Sequence, residues 1–261
     1  MTSDRRLPLS AVLITRNAAG QLAGCLASVS FCDEIVIVDS GSEDATVEIA
    51  GRHGARVIPS AWRGFGPQKR FAVEQASHDW VLCIDADERV SEQLRESIIA
   101  VVSAPARCVP SGTLGAWRFA RCNRFMGRYL RHGEGYPDWS LRLFDRRAAH
   151  WSDDPVHEKV IADGEIGTLS GDLLHESAES LETYLAKQNR YSSLAAEEAL
   201  ARGKRATAAH MLLSPLLRFI KFYFFRLGLL DGLPGLVHIL VGCGASFAKY
   251  AKMLAFQRNP K

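Results

Sequence analysis

Apolar runs alternate with amphipathic segments along the first hundred residues, and the two patterns predict strands and helices in turn. Strands are expected at residues 9–15, 34–39, 55–60 and 80–85, and helices at residues 21–30, 40–54, 67–76 and 91–102. Ser40 and Glu43 have the spacing of a capping box, and Ser91 is placed to cap the last helix. Near-continuous apolar strands separated by helices are typical of a parallel sheet covered by helices on both faces.

Polar residues follow three of these strands, at the edge of the sheet where α/β proteins bind their ligands. They are Thr15, Arg16 and Asn17 after the first strand, Asp39 and Ser40 after the second, and Asp85 and Asp87 after the fourth. The chain has no GxxxxGK[ST] loop and no GxGxxG after the first strand, so neither of these nucleotide-binding fingerprints applies. For a nucleotide, Asp39 is a candidate partner of a base or ribose, while Arg16 and Lys69 are candidates for phosphate. A lysine on a helix surface is the commoner role for Lys69.

Asp85 and Asp87 are two residues apart, so on a continuing strand their carboxylates would project from the same face. Two such groups repel each other unless a cation lies between them. Hard oxygen ligands at this spacing suit Mg²⁺ or Mn²⁺, particularly where phosphate oxygens complete the shell. The alternative is a solvated acidic turn before a helix, because the start of a helix favours negative charge.

Composition places the chain among ordinary globular proteins. Its 261 residues are 47% hydrophobic and 23% charged, enough for one sizeable core. The six cysteines form no CxxC pair and several lie in apolar runs, which favours a reducing compartment. The first apolar run is short and leads directly into polar residues, so we expect no signal peptide and a cytoplasmic protein.

Charge is distributed unevenly along the chain. Residues 202–261 hold ten lysines and arginines against one acid, Asp231, for a net charge of +9, so the remaining residues carry −6. This asymmetry indicates an anionic partner surface.

Residues 210–256 are strongly apolar but interrupted by charged residues and Pro234, so we expect no unbroken membrane span of about 20 residues. Arg218, Lys221 and Arg226 recur at helical spacing with leucines and phenylalanines between them. This pattern predicts a helix lying on an anionic membrane surface, followed by a tight turn at LDGLPG and a second apolar segment. A helical hairpin packed on the sheet or in a dimer is the alternative. The residues between these cations are too apolar, and too rich in Leu and Phe, for an exposed basic patch that binds nucleic acid.

Several motifs together resemble family 2 glycosyltransferases with the GT-A fold. They are LITRN (residues 13–17), VIVDSGSEDAT (36–46), GPQKR (66–70) and CIDAD (83–87), and they cover roughly residues 7–105. YPDWSLRLFDRR (136–147), PVHE (155–158) and LETYLAKQNRYS (181–192) resemble the branch that builds the lipopolysaccharide core. A QxxRW motif is absent from the sequence, so the processive polysaccharide synthases match poorly.

The resemblance implies a role for each matched position. Thr15, Arg16, Asn17 and Asp39 would line the nucleotide pocket, Asp85 would lie beside the ribose or the metal, and Asp87 would bind the divalent cation that bridges the donor diphosphate. Such a cation, and Lys69 beside it, would stabilise the negative charge left on the diphosphate when the sugar is transferred.

The acceptor hydroxyl needs a general base, and two acids follow the metal motif at a suitable distance. Glu158 in PVHE is the first candidate and Asp138 in YPDW the second, and the sequence leaves both open. An ion pair between Glu158 and an arginine such as Arg142 is the structural alternative. His157 or His175 would complete the metal shell, although a hydrogen-bonded structural histidine is the more frequent outcome.

These observations predict an α/β protein of the GT-A class with a Rossmann-like, mostly parallel sheet flanked by helices. A glycosyltransferase domain would cover residues 1–200, with a nucleotide-sugar half at 7–105 and an acceptor half at 106–200. Residues 201–261 would form a basic, apolar helical extension. The expected activity is inverting transfer of a sugar, glucose from UDP-glucose, to a lipid-linked saccharide such as an inner-core heptose, on the cytoplasmic face of the membrane.

Two other classes of protein fit parts of the sequence. The DADERV stretch resembles the DxDx[TV] loop of haloacid-dehalogenase-type phosphatases, although Arg89 stands where Thr or Val is expected and the loop follows the fourth strand instead of the first. A non-catalytic membrane-bound partner protein with the same fold is the other alternative.

Overall fold

The computed structural model describes residues 7–104, 115–154, 158–176 and 180–258. The chain divides into two compact units: Met1–Arg121 with Asp138–Glu176, and Cys122–Pro137 with Ser177–Lys261. This division differs from the expected boundary after residue 200, because the helix Leu181–Ala201 groups with the C-terminal region.

Strands and helices alternate along the first half of the chain, and strands dominate the part that follows. The strands are β1 (Leu7–Thr15), β2 (Cys32–Asp39), β3 (Arg56–Pro59), β4 (Trp80–Cys83), β5 (Glu88–Val90), β6 (Ala116–Phe125), β7 (Arg128–Tyr129), β8 (Asp138–Asp145), β9 (Ala149–Trp151), β10 (Val160–Ala162) and β11 (Ile166–His175). The helices are α1 (Ala19–Ser28), α2 (Thr46–Arg52), α3 (Phe65–Glu74), α4 (Glu92–Val102), α5 (Leu181–Ala201), α6 (Ala208–Phe219) and α7 (Gly232–Arg258).

The main sheet has the strand order β3-β2-β1-β4-β8-β6-β11-β5. Its first four strands are parallel, with Thr15 opposite Asp39 and Val12 opposite Cys83, as the sequence predicts. Beyond β4 the pairings of β8 with β4, β6 with β8 and β11 with β5 are antiparallel, so the sheet is mixed, whereas the sequence predicts a mostly parallel one. The carboxyl ends of β1, β2 and β4 therefore meet at one edge, and the antiparallel strands extend the sheet from β4 outward.

Both faces of this sheet are buried, because side chains on a strand alternate between faces. On β1, Leu9, Ala11 and Leu13 join the larger hydrophobic cluster, while Val12 joins a second cluster that includes Ala72 of α3. Burial on both faces explains why the strands read as continuous apolar runs in the sequence.

Helix α2 begins later than predicted. The capping box at Ser40 and Glu43 is wrong, since the helix starts at Thr46 and Ser40 lies in a loop. The side chain of Asp39 accepts hydrogen bonds from the amides of Gly41 and Ser42, which holds this loop in a turn instead of a helix. Ser91, in contrast, caps α4 as predicted, accepting a hydrogen bond from the Leu94 amide.

The second unit is mainly helical. Helices α6 and α7 run antiparallel, with the hydroxyls of Ser214 and Ser246 2.9 Å apart and the rings of His210 and Tyr250 stacked. A π-helical segment, Ile220–Phe225, and a 3₁₀ turn, Gly228–Asp231, join the two helices. A second apolar segment follows a turn, as predicted, but the turn lies earlier than expected, at Gly228–Asp231. Residues 232–235 of LDGLPG, including Pro234, belong to α7, which continues to Arg258.

The cation stripe on the first C-terminal helix is only partly as predicted. Arg218 is turned inward, where its Nε donates to Glu134 Oε2 at 3.0 Å, whereas Lys221 and Arg226 are exposed. Within the described residues, Gly228–Arg258 is long and apolar enough to cross a membrane by length and composition alone, contrary to the expectation that no such segment exists. A third of its most apolar stretch is buried in the protein, and a core helix of a soluble protein meets the same criterion.

Candidate active site

A cavity of about 490 Å³ opens in the first unit at the carboxyl ends of β1 and β4. Seven of the candidate site residues line it: Thr15, Arg16, Lys69, Asp85, Asp87, Glu158 and His175. They come from five separate stretches of the chain, and the parallel pairing of β1 with β4 brings two of these stretches together. The volume suits a drug-sized ligand, and acids, cations and a hydroxyl converge on it.

Lys69 contacts two of the acids that line this cavity. Its ammonium lies 3.1 Å from Asp85 Oδ1 and 3.0 Å from Glu158 Oε1, and the side chain is 8% exposed. The role as a helix-surface lysine is therefore wrong. The alternative pairing of Glu158 with Arg142 is also wrong, because Lys69 is the cation within hydrogen-bond distance of Glu158.

The position of Lys69 depends on a close approach of two backbones. A Cβ atom at Gly66, one turn earlier on α3, would collide with the carbonyl oxygens of Ser152 and Asp154. Only glycine permits this packing, which brings α3 against the segment that leads to Glu158. The ammonium of Lys69 also lies 4.7 Å from the centre of the buried Trp151 ring.

Asp85 and Asp87 do not share a strand face as expected, because β4 ends at Cys83 and the chain turns, with the Glu88 amide donating to the Asp85 carbonyl. Asp85 is held by Lys69 and by Arg142, whose Nη2 donates to Asp85 Oδ2 at 3.0 Å. Although burial works to raise it, these two cations hold the pKa of Asp85 well below its usual range.

Glu88 lies behind Asp85 and is fully buried. Its Oε2 accepts from the Asp85 amide, and its Oε1 lies 3.7 Å from Arg142 and 3.5 Å from Arg121. Burial raises the pKa of this carboxyl. Arg142 therefore compensates two acids at once, and its position in the YPDWSLRLFDRR motif was the only sequence signal for this role.

Asp87 faces the imidazole of His175, with Oδ2 3.2 Å from Nε2, and both residues line the cavity. His175 ends β11, where it lies opposite Glu88, the residue after Asp87. In the described part of the chain, His, Cys, Asp and Glu side chains form no group of three or more that would hold a metal alone. A carboxylate and an imidazole nonetheless suit a divalent cation whose remaining ligands are phosphate oxygens or water. His157 lies outside the described residues.

Asp39 and Asn17 do not line the cavity, and both hold the loop that follows β2. The two oxygens of Asp39 accept four hydrogen bonds, from the Thr15 and Ser42 hydroxyls and the Gly41 and Ser42 amides. Although burial works to raise it, the bonds from Ser42 and Thr15 keep the pKa of Asp39 below its ordinary value. Asn17 adopts a left-handed conformation, φ 51°, and its side-chain oxygen accepts from the Glu43 amide.

Asp138, the second candidate base, lies away from the cavity. It pairs with Arg121, its partner across β6 and β8, with Oδ2 2.7 Å from Nη2. Two exposed aromatic residues that the sequence did not single out, Trp62 and Phe65, line the cavity with their rings 4.9 Å apart in a T-shaped contact. Their position after β3 was the available signal, since ligands bind at that edge of the sheet.

The sequence assigns the chain to a family of glycosyltransferases. The sequence model of glycosyl transferase family 2 matches residues 10–151, more than half of the chain, and the chain belongs to this family. It is therefore a family 2 glycosyltransferase, which replaces the phosphatase alternative.

Sequence similarity to other glycosyltransferases extends over nearly the whole chain. The lipopolysaccharide core biosynthesis glycosyltransferase LpsC of Rhizobium meliloti is 34% identical over 97% of this chain and 94% of its own. An uncharacterized glycosyltransferase of Rickettsia typhi is 29% identical over 94% of this chain and 86% of its own. The likeness to LpsC confirms the predicted resemblance to the lipopolysaccharide-core branch.

Among solved structures, the mannosyltransferase of Pyrobaculum calidifontis in complex with GDP-Man and Mn²⁺ has a TM-score of 0.50. The two are 18% identical, and the match covers 97% of this chain and 86% of the other. This likeness confirms the expected GT-A-type α/β fold, and helix α7 is the apolar helical element expected at the C-terminal end.

Proposed function

We propose that this protein transfers glucose from UDP-glucose to a saccharide of the lipopolysaccharide core, with the inner-core heptose as the acceptor. The likeness to LpsC over nearly the whole chain supports the acceptor class. The observation that carries the chemistry is the buried Lys69 ammonium, which holds Glu158 at one wall of the cavity and Asp85 at another. A carboxylate beside a cavity bordered by metal-binding and phosphate-binding groups is the arrangement that sugar transfer requires.

The donor would lie along the carboxyl ends of β1 and β4. Asp87 and His175 would hold a divalent cation, Mg²⁺ or Mn²⁺, which would neutralise charge on the donor diphosphate. Arg16, which lines the cavity, would contact a phosphate, and Thr15 and Asp85 would contact the nucleoside. Because Asp85 already pairs with two cations, we assign it to the ribose side of the donor and not to the cation.

Glu158 would act as the general base. It accepts the proton of the acceptor hydroxyl while that oxygen bonds to the anomeric carbon, and the bond from the same carbon to the diphosphate breaks with its electron pair. A single displacement of this kind inverts the configuration at the anomeric carbon. Lys69 orients the Glu158 carboxylate by its 3.0 Å hydrogen bond and leaves the second oxygen of the carboxylate for the substrate.

We also propose that the second unit attaches the protein to the cytoplasmic face of an anionic membrane. Large apolar side chains are exposed on α6 and on the turn that follows it, with Leu217 63% and Phe225 79% exposed. Lys221 and Arg226 are exposed in the same stretch of chain. Exposed leucines and phenylalanines beside cations suit the boundary between acyl chains and anionic headgroups.

Titration calorimetry of the purified protein with UDP and UDP-glucose, with and without Mn²⁺, tests the donor site. We expect binding that requires the cation and that Asp87→Asn weakens. Glu158→Gln should keep donor affinity and lose transfer by about 10²–10⁴-fold. The assignment of Glu158 as the base is refuted if this variant retains turnover, and binding unaffected by Mn²⁺ would remove the cation from the proposal.

A further inference from the structure

A second cavity, of about 270 Å³, lies in the same unit, and Glu158 and Arg142 are part of its wall. Glu158 also lines the larger cavity, so this one residue borders both spaces. The chain therefore places the proposed base where a hydroxyl in the smaller cavity and a donor in the larger one would both be within its reach.

An exposed tryptophan forms one side of the smaller cavity. Trp139 on β8 is 48% exposed, unusual for a large aromatic ring, and it lines the cavity. The guanidinium of Arg118 lies 5.1 Å from the centre of this ring and donates from Nε to the Thr168 hydroxyl. Arg118 thus supports the indole by a cation–π contact, and the accessible part of the ring is available to a sugar.

Lys159 also lines the smaller cavity. The backbone of Lys159 is fixed to Ser152 by two hydrogen bonds, 2.8 Å from the Ser152 amide to the Lys159 carbonyl and 3.2 Å from the Lys159 amide to the Ser152 hydroxyl. Its exposed ammonium makes no ion pair within the described ranges, whereas the other charged residues of this cavity are matched, Glu158 by Lys69 and Arg142 by Asp85. Among the described residues that line this cavity, Lys159 therefore carries the one uncompensated charge, and that charge is positive.

We propose that this smaller cavity is the acceptor subsite and that it selects a saccharide carrying an anionic group, a phosphate or a carboxylate. The sugar ring packs on Trp139, the anionic substituent pairs with Lys159, and the accepting hydroxyl meets Glu158. The inference rests on the proposed transferase function and adds to it the chemical class of the acceptor and the two residues that recognise it.

Steady-state transfer with a deacylated lipopolysaccharide core oligosaccharide tests the subsite. We expect Lys159→Gln to raise the acceptor KM about tenfold, as loss of one charged hydrogen bond implies, with kcat within about twofold of the wild-type value. Trp139→Ala should raise the same KM by about tenfold or more, and Lys159→Arg should restore most of the affinity. Arg52→Gln, a charge removed from the exposed surface of α2, is the matched control and should change nothing.

Two treatments of the acceptor identify its anionic group. Phosphatase treatment removes phosphate and carboxyl reduction removes carboxylate; one of them should raise the wild-type KM about tenfold and have little effect on Lys159→Gln. The inference is overturned if both variants keep the wild-type acceptor KM, or if neither treatment matters. Donor affinity, measured by calorimetry, should be unchanged in both variants. Wild-type protein that binds no nucleotide sugar would overturn the proposed function itself, together with this subsite.

Discussion

Removal of Arg142 should strongly destabilise the protein, since one guanidinium compensates two acids. The side chain is 10% exposed, and its Nη2 lies 3.0 Å from Asp85 and 3.7 Å from Glu88. Glu88 Oε1 is buried and accepts no hydrogen bond from the described residues, so nearby positive charge is its main compensation. We therefore consider the variant Arg142→Met, which keeps the length of the side chain and removes the charge.

The expected cost follows from what remains after the change. Breaking a buried ion pair by removing one partner costs about 3–5 kcal/mol of unfolding free energy. Lys69 would still pair with Asp85 and Arg121 would still lie 3.5 Å from Glu88, so we expect the lower end, about 3 kcal/mol. Arg95→Met is the matched control, because its 2.9 Å pair with Glu92 is exposed and should contribute less than about 1 kcal/mol.

Urea denaturation of both variants measures the difference, and Glu88→Gln gives a second test. In the Arg142→Met background, Glu88→Gln should recover about 1–2 kcal/mol, because it removes a buried charge that has lost one of its two neighbouring cations. The reasoning is refuted if Arg142→Met costs less than about 1 kcal/mol, or if Glu88→Gln has the same effect with and without Arg142.

Three further predictions concern packing, acid stability and membrane attachment. Gly66→Ala should lower the free energy of unfolding by about 1–3 kcal/mol and the rate of sugar transfer at least tenfold, because α3 must move away from the segment before Glu158. A fully active and equally stable variant would contradict the close backbone contact at Gly66. Burial works to raise the pKa of Glu34, but hydrogen bonds from Ser10, Arg56 and Ser77 outweigh burial and lower this pKa to about 2. The Glu34 carboxylate therefore stabilises the fold above a pH of about 4.3, and this stability is lost as the pH falls toward 2. Glu34→Gln should therefore flatten acid unfolding in this window, followed by circular dichroism, whereas the exposed Glu48→Gln should not. Phe225→Glu should reduce cosedimentation with anionic phospholipid vesicles about tenfold, whereas Val47→Glu on the first unit should have no effect. Equal sedimentation of both variants would refute membrane attachment through the second unit.

The N-terminal half shows which parts of the fold can be predicted from the sequence. The four parallel strands and the capped helix α4 follow from apolar runs and a local cap, both of which depend on neighbouring residues only. The capping box at Ser40 failed because Asp39 competes for the same backbone through its bonds to Gly41 and Ser42. The strand geometry expected at Asp85 failed because the chain turns back into β5.

In the candidate active site, too, local sequence patterns predict only part of the structure. The sequence determined which polar residues end β1, β2 and β4, because the order of strands and helices places their carboxyl ends together. Tertiary structure decided which side chains meet: Lys69 with Glu158, Arg142 with Asp85, and His175 with Asp87. These partners lie 89, 57 and 88 residues apart along the chain. Periodicity and capping report interactions within a few residues, whereas the pairing of distant charges depends on how strands and helices pack, as the contact at Gly66 illustrates.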